Sequence, residues 1–534
     1  MIKSNISTKS VLIQLWKAIS PKRKRQVLIS FLLMIISGFA EVLSLAFIFP
    51  FLSVLTNPQK LWNIGLIKEL SFILGFKTSL DLILPVTIIF ILSTIISSSV
   101  RLLNLWYYNR LAVSIGSDLS CASYEKILHL PYINHIQQNS SKYISTIVNQ
   151  VSRSIDVISQ FLQLFTGIIL MISLTMALLI ANFSLTSLAI IIFGSIYIYI
   201  SRITKQKLSK NSLHVSKARQ IQIKSLQEGF GAIRDVLMSG NQNTYINIFR
   251  KTDIPMRRYE AQSSFIGMFP RFALETFGLT FIAISSYVLF IVSDDFNKYI
   301  PTLATFALGV QKLLPAMQSS YNALTAIRGN IVSVVDVLSI ISKNNSEKDI
   351  YESSNTLGFK NSLKICNLCF RYKKDQPFIL NNINLEILQG ERIGIIGRSG
   401  SGKSTLLEIL MGLLEPSEGK ILIDGIDINN LNKPNLIYQW RRKISYVPQS
   451  IFLADSSFSE NIAFGVPENK INFELVKDCA RRAKISDLIE KSKFGYTTKV
   501  GEKGIQLSGG QCQRIGIARA LYKKNNIIFF DEAT

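Results

Sequence analysis

Residues 390–405 read GERIGIIGRSGSGKST, and residues 507–511 read LSGGQ. In the first stretch an apolar run, predicted to be a buried strand, leads into a glycine-rich loop and then a helix. Gly397, Gly400 and Gly402 allow backbone N–H groups to turn inward as a cradle for phosphates. Lys403 supplies positive charge at the β- and γ-phosphates, and the Ser404 hydroxyl suits Mg²⁺. Arg398, Ser399, Ser401 and Thr405 complete the stretch that faces the nucleotide. A helix starting at this point directs its positive end at the same anion.

Three further signals flank that loop. Ile527 to Phe530 form an apolar core strand that ends in Asp531 and Glu532. Asp531 suits the magnesium shell. Glu532 is placed to orient or deprotonate an attacking water, the alternative being a surface acidic pair behind a core strand. Gln449, in SYVPQS, carries an amide able to reach both metal and water. Tyr372, in FRYKK, suits adenine stacking or a place in the core.

LSGGQ opens the apparent helix GQCQRIGIARALY. Ser508, Gly509 and Gly510 offer N–H groups and a hydroxyl at its N-terminus, a second anion site, which Gln511 completes. One domain has no need of two γ-phosphate sites. Two copies placed head to tail would build two whole sites, each from one copy's 397–405 and the other's 507–511.

The chain has 534 residues, 48% of them hydrophobic, and a formal charge of +24 from 59 Lys+Arg against 35 Asp+Glu. Its mean hydropathy is +0.28. Such basicity fits a nucleic-acid binder or a membrane protein whose cytoplasmic loops collect Lys and Arg. The second is preferred, and no nucleic-acid partner is expected, because six runs are long enough to cross a ~30 Å hydrocarbon core. They fall at 27–52, 83–107, 157–181, 184–204, 268–293 and 299–326. The basic run Lys22-Arg23-Lys24-Arg25 places the N-terminus inside, without a cleavable signal peptide. Segment 202–258, rich in Lys and Arg, is also cytoplasmic. Ala181-Asn182-Phe183 and Asp294-Asp295 are then outside. The inside stretches 105–156 and 202–265 read as helical continuations of the spans, or as solvated loops. Segment 58–75 suggests a short helix on the outer membrane surface or packed on the bundle. The five cysteines and three histidines form no zinc pattern and suit a reducing compartment.

The domains are therefore a six-helix α-helical transmembrane domain (1–342), a polar linker (343–361) and an α/β P-loop NTPase domain (362–534). Residues 362–534 resemble the nucleotide-binding domain of ABC transporters, with A-loop Tyr372, Walker A 397–404, Q-loop Gln449, signature 507–511 and Walker B 527–531. Six spans fused ahead of that domain resemble an exporter-type half-transporter. The resemblance implies ATP and Mg²⁺ as cofactors, a homodimer or a heterodimer with a related half-transporter, and a multi-pass protein of the plasma (inner) membrane with its nucleotide-binding half in the cytoplasm.

More narrowly, AEVLSLAFIFPF (40–51), VRLLNLWYY (100–108), PRFALETFG (270–278), QKLLPAM (311–317) and TKVGEKG (498–504) are similar to bacterial flippases of lipid-linked oligosaccharides. Lys499 stands where the commoner exporters have Glu. Arg101, Arg271 and Lys312 lie inside predicted spans, where charges are costly. They suit a lipid-linked diphosphate, or internal ion pairs such as Arg271 with Glu275. An exporter of drugs or peptides and an impaired partner subunit are the alternatives. Members of the family continue past Walker B with a Ser-Ala-Leu-Asp loop and a switch histidine. The stretch given ends at Thr534, so the resemblance implies an ABC domain truncated after Walker B, with ATP binding and impaired hydrolysis.

Overall fold

The computed structural model describes residues 8–56, 58–62, 76, 78–181, 183–292, 300–342, 358–430, 435–501 and 507–532. Residues 63–75 of the surface helix expected over 58–75, Asn182, Asp294-Asp295, linker residues 343–357 and residues 502–504 of TKVGEKG lie outside them. Packing divides the chain into two units: Met1–Leu128 with Asn139–Asn344, and His129–Gln138 with Asn345–Thr534.

The first unit is all helix. Its elements are α1 (Thr8–Ala18), α2 (Pro21–Ala46), α3 (Ile48–Thr56), α4 (Pro58–Trp62), α5 (Ile83–Leu128), with α7 (Ser140–Ser145), α8 (Val151–Ala181), α9 (Phe183–Gly231), α10 (Ile233–Met238), α11 (Gln242–Val292) and α12 (Ile300–Ile341). Between them, α6 (Tyr132–Gln137) belongs to the second unit. Six stretches, Pro21–Thr56, Ser79–Leu128, Ser140–Ile180, Thr186–Gly231, Gln242–Val288 and Phe306–Ile341, are long and apolar enough to cross a membrane. In hydrocarbon only a helix satisfies its own backbone polar groups segment by segment. Pro21 starts α2 at the first helical position, where no N–H is needed.

Helices α5, α9 and α11 run for 46, 49 and 51 residues. At 1.5 Å per residue each is roughly 70–77 Å long, more than twice a bilayer core of ~30 Å. The stretches 105–156 and 202–265 are thus mostly helical, not loose loops, with short breaks at His129–Pro131, Gln138–Asn139, Ala232 and Ser239–Asn241.

The bundle closes around α8 and α12. Val157 and Leu162 meet Ile327, Val334 and Leu338, together with Met34 from α2. Gly167 permits the close approach, since a Cβ there would stand 2.1 Å from Ser320 Oγ and 3.2 Å from the Ala316 carbonyl.

The second unit is α/β. Strands β1 (Ser362–Phe370), β2 (Leu380–Leu388), β3 (Glu418–Ile423) and β4 (Ile426–Asp427) form an antiparallel sheet in the order β2-β1-β3-β4. Strands β5 (Ile444–Val447) and β6 (Ile527–Phe530) pair in parallel. Helices α13 (Lys403–Leu410) and α14 (Asn435–Arg442) join the first core, where Ile365, Leu368, Ile409, Ile421 and Trp440 are almost fully buried. Trp440 Nε1 donates to the Leu410 carbonyl at 2.8 Å. A second core gathers α15 (Phe458–Ile462), α16 (Phe473–Arg482), α17 (Ser486–Glu490) and α18 (Gly509–Tyr522) around Val476, Cys479, Ala480, Ile489 and Ile515.

One expectation fails here. Among the described residues the run Glu391–Gly397 has no ladder partners, and Ile396 is 98% exposed. Gly390 to Ile395 border a cleft whose other wall includes β6. A core strand of a parallel sheet needs hydrogen-bonded neighbours and covered faces; this run has neither, so its apolar composition does not make it a buried strand.

Candidate nucleotide-binding site

The site begins at the N-terminus of α13. Gly402 caps that helix in the left-handed region, with φ 90° and ψ 13°, and Gly400 has φ 79°. A side chain at Gly402 would be strained by that backbone and would meet Leu380 Cδ2 at 2.9 Å. Lys403 folds its ammonium over the loop, donating to the carbonyls of Gly397 at 3.0 Å and Arg398 at 3.1 Å. Below the loop, Thr405, Leu406, Ile409 and Leu410 are the buried face that anchors α13.

The acidic half of the site is set by strand register. Val447 on β5 pairs with Phe530 on β6, and Asp531 N donates to the Val447 carbonyl at 3.0 Å. Two residues further along each chain, Gln449 and Glu532 are side by side, and Gln449 Nε2 donates to Glu532 Oε2. Glu532 has φ 50°, an uncommon backbone for a residue with a side chain. Ser404 Oγ reaches Asp531 Oδ1 at 3.5 Å. A hydroxyl and a carboxylate oxygen at this separation, with an amide and a second carboxylate beside them, are the hard-oxygen donors that Mg²⁺ takes; the residues fit the metal.

Three residues join this site without having been singled out in the sequence. Tyr446 donates its hydroxyl to the second oxygen of Asp531 at 3.5 Å. Burial, then the charge of Asp531, pushes the Tyr446 hydroxyl up to about 12. On α13, Glu408 accepts from Tyr132 Oη at 3.1 Å. Burial pushes the Glu408 carboxyl up, against the Tyr132 hydrogen bond and with help from Asp531. Tyr132, on α6, is likewise raised to about 12 by burial and by Glu408. The only sequence signal for Tyr446 was its place in SYVPQS, three residues before Gln449.

Tyr372 lies at the other side of the loop. Its hydroxyl is 3.4 Å from Thr405 Oγ1 and its ring stands edge-on to Phe370 at 5.0 Å. Ser508 caps α18 in a reciprocal box: Ser508 N donates to Gln511 Oε1 at 2.8 Å, and Gln511 N donates to Ser508 Oγ at 3.3 Å. The side chain of Gln511 is thus committed to its own helix end. Ser508, Gly509 and Gly510 are exposed. Among the described residues no hydrogen bond or ion pair links 508–511 to 397–405.

In the first unit, Lys312 Nζ lies 3.0 Å from Glu41 Oε1 and 2.9 Å from Ser44 Oγ, and Ser97 Oγ donates to Glu41 Oε2. Lys312 is therefore ion-paired across helices. Arg101, Arg271 and Glu275 are exposed, and among the described residues the alternative of an Arg271–Glu275 ion pair is not seen.

Residues 380–534 match the ABC transporter family profile. Six membrane-crossing helices followed by that nucleotide-binding domain define the fold class. The fold is similar to the structure of a bacterial Atm1-family ABC exporter with ATP bound, with TM-score 0.76 and 22% identity over 96% of this chain and 86% of that one. In sequence, the leukotoxin translocation ATP-binding protein LktB of Mannheimia haemolytica is 48% identical over 191 residues. LktB of Bibersteinia trehalosi matches to the same extent. The match takes in 36% of this chain, which spans about a quarter (26%) of the length of these curated relatives.

Proposed function

We propose that this chain is one half of an ATP-driven exporter of a plasma (inner) membrane, with its N-terminus and nucleotide-binding unit cytoplasmic. Two copies, or one copy and a related half-transporter, hold ATP between the 397–405 loop of one and the 508–511 turn of the other. The observation that carries this is the β5–β6 register, which sets Gln449 against Glu532 and Asp531 within reach of Ser404. The exposed helix end at Ser508–Gly510, away from its own loop, supports a site completed by a partner.

Within that site the loop N–H groups and Lys403 hold the phosphates, and Tyr372 takes the adenine. Gln449 positions the attacking water, and Glu532 accepts its proton as the oxygen bonds to the γ-phosphorus and ADP leaves. Mg²⁺, held by Ser404, Asp531 and Gln449, would offset charge on the phosphate oxygens. Nucleotide closes the pair of subunits and hydrolysis resets them.

For the substrate, we favour a lipid-linked saccharide carried on a diphosphate. Arg101 and Arg271 support it: both lie on span helices and are exposed, and among the described residues neither forms a salt bridge, although Arg101 is close enough to Glu41 to act on its charge. Lys312, ion-paired with Glu41, adds no surplus positive charge to this reading. Export of a polypeptide is the second reading, supported by the 48% identity to a leukotoxin translocation protein.

Reconstitution in liposomes tests both. Lys403→Ala abolishes ATP-dependent transport, and retained transport would refute the mechanism. Polyprenyl-diphosphate saccharides stimulate ATP turnover, and Arg101→Ala or Arg271→Ala removes that stimulation more than basal turnover. Stimulation by polypeptide alone, indifferent to both arginines, would replace the saccharide reading with secretion.

A further inference from the structure

We propose that a groove between α1 and the helical bundle binds one acyl chain of an anionic membrane phospholipid, with the headgroup on the basic start of α2. The groove has a volume of about 600 Å³. Leu12, Leu15 and Trp16 of α1 form one wall. Val27 and Phe31 of α2, Ile115 of α5 and Phe161 of α8 form the others. Every lining side chain is apolar, so a water there would have no side-chain partner. An engineered apolar cavity of ~150 Å³ takes one benzene. By that measure the groove has room for roughly four rings of carbon, the scale of a lipid tail. It opens at the surface, since Ile13 and Trp16 on its rim are 49% and 43% exposed.

The rim supplies the charge. Lys17 ends α1, and Lys22, Arg23, Lys24 and Arg25 occupy the first turns of α2. Arg23 is already engaged by Asp118, at 2.8 Å. Lys24 stands over the Trp16 ring, 5.7 Å from its centre, so a cation overhangs a groove-lining side chain. Lys17, Lys22 and Arg25 are exposed. Trp beside Lys and Arg at the end of a span is the pattern of the membrane–water interface. An all-apolar slot with surplus positive charge at its mouth matches a lipid that is apolar at one end and anionic at the other. This site is separate from the nucleotide-binding unit and from Arg101, Arg271 and Lys312.

The test is native mass spectrometry of the full chain released from nanodiscs of phosphatidylglycerol or phosphatidylcholine. The unaltered chain keeps one tightly held phosphatidylglycerol, with about tenfold preference over phosphatidylcholine. Ile13→Trp, which enlarges a rim side chain without entering the core, lowers the count by one. Lys22→Gln with Arg25→Gln erases the preference between lipids. ATP binding and the thermal unfolding profile of each variant establish that it is folded. Equal retention of both lipids by the unaltered chain, or an unchanged count in folded Ile13→Trp, would overturn the proposal.

Discussion

At Asp531 two hydroxyls compete for one carboxylate. Ser404 lies by one oxygen and Tyr446 by the other, each at 3.5 Å. The tyrosine therefore orients the carboxylate, while the serine would share the metal in the proposed site. A hydrogen bond to a charged group contributes about 1.5–3 kcal/mol at ideal length and less at the 3.5 Å seen here. Tyr446→Phe keeps the ring and is expected to raise the Mg²⁺ concentration for half-maximal ATP turnover several-fold, with Mn²⁺ binding weakened in parallel. Unchanged metal dependence would remove Tyr446 from the site. The motif residues were legible in the sequence because their chemistry is carried by local backbone: a glycine loop, a helix start, a strand end. Tyr446, Glu408 and Tyr132 were not, because each enters only when segments far apart in the chain are packed.

Asp424 shows a second residue-scale effect. Its carboxylate accepts from the backbone N–H groups of Lys360 at 2.7 Å, Asn361 at 2.8 Å and Ser362 at 2.9 Å. Burial alone would raise this carboxyl, but the three N–H groups hold it below its ordinary value. A lowered folded value means the stabilisation is complete above the unfolded pKa of about 3.9 and fades as pH falls through the folded one. Asp424→Asn is expected to lower the melting temperature at pH 7 and to change it little near pH 3. Asn tolerates the left-handed backbone at this position, φ 48°, so the loss reports on charge. An equal loss at both pH values would sink that account.

At the scale of elements, helix length was readable and strand pairing was not. Helices α5, α9 and α11 continue past the bilayer because their patterns carry no strong breaker at its edge. Pro255 and Pro270 lie inside α11 without ending it. The run 391–397 has the composition of a buried strand, but a strand exists only with partners. Close helix packing shows the same dependence. Gly167 faces Ser320 across α8 and α12, whereas Gly194 on α9 has open space around it. Gly167→Leu should cost about 1–3 kcal/mol through overpacking, read as a lower melting temperature in detergent. Gly194→Leu should cost little. Equal effects would mean that the α8–α12 approach is loose.

Across the whole molecule, the costliest side chains are those that tie distant segments. Glu41 on α2, Ser97 on α5 and Lys312 on α12 meet inside the bundle. Removing one partner of a fully buried pair costs about 3–5 kcal/mol, and less here because the Lys312 side chain is 31% exposed, whereas apolar replacement of both can be near neutral. Lys312→Ala should therefore unfold the bundle at markedly lower temperature. Glu41→Leu with Lys312→Met should recover most of that loss. If the double substitution is as damaging as the single one, the pair has a role beyond mutual neutralisation.

Composition and local pattern alone determined that this chain has six membrane-crossing helices and a phosphate-binding α/β part, because hydrophobic length and a glycine loop act through nearest neighbours. Only the tertiary structure decided that Lys312 is paired with Glu41, that Tyr446 holds Asp531, that residues 391–397 form no ladder, and that Tyr132 belongs with the nucleotide-binding unit. Those outcomes depend on register and on burial beside residues tens to hundreds of positions away, and neither quantity is carried by any local stretch of sequence.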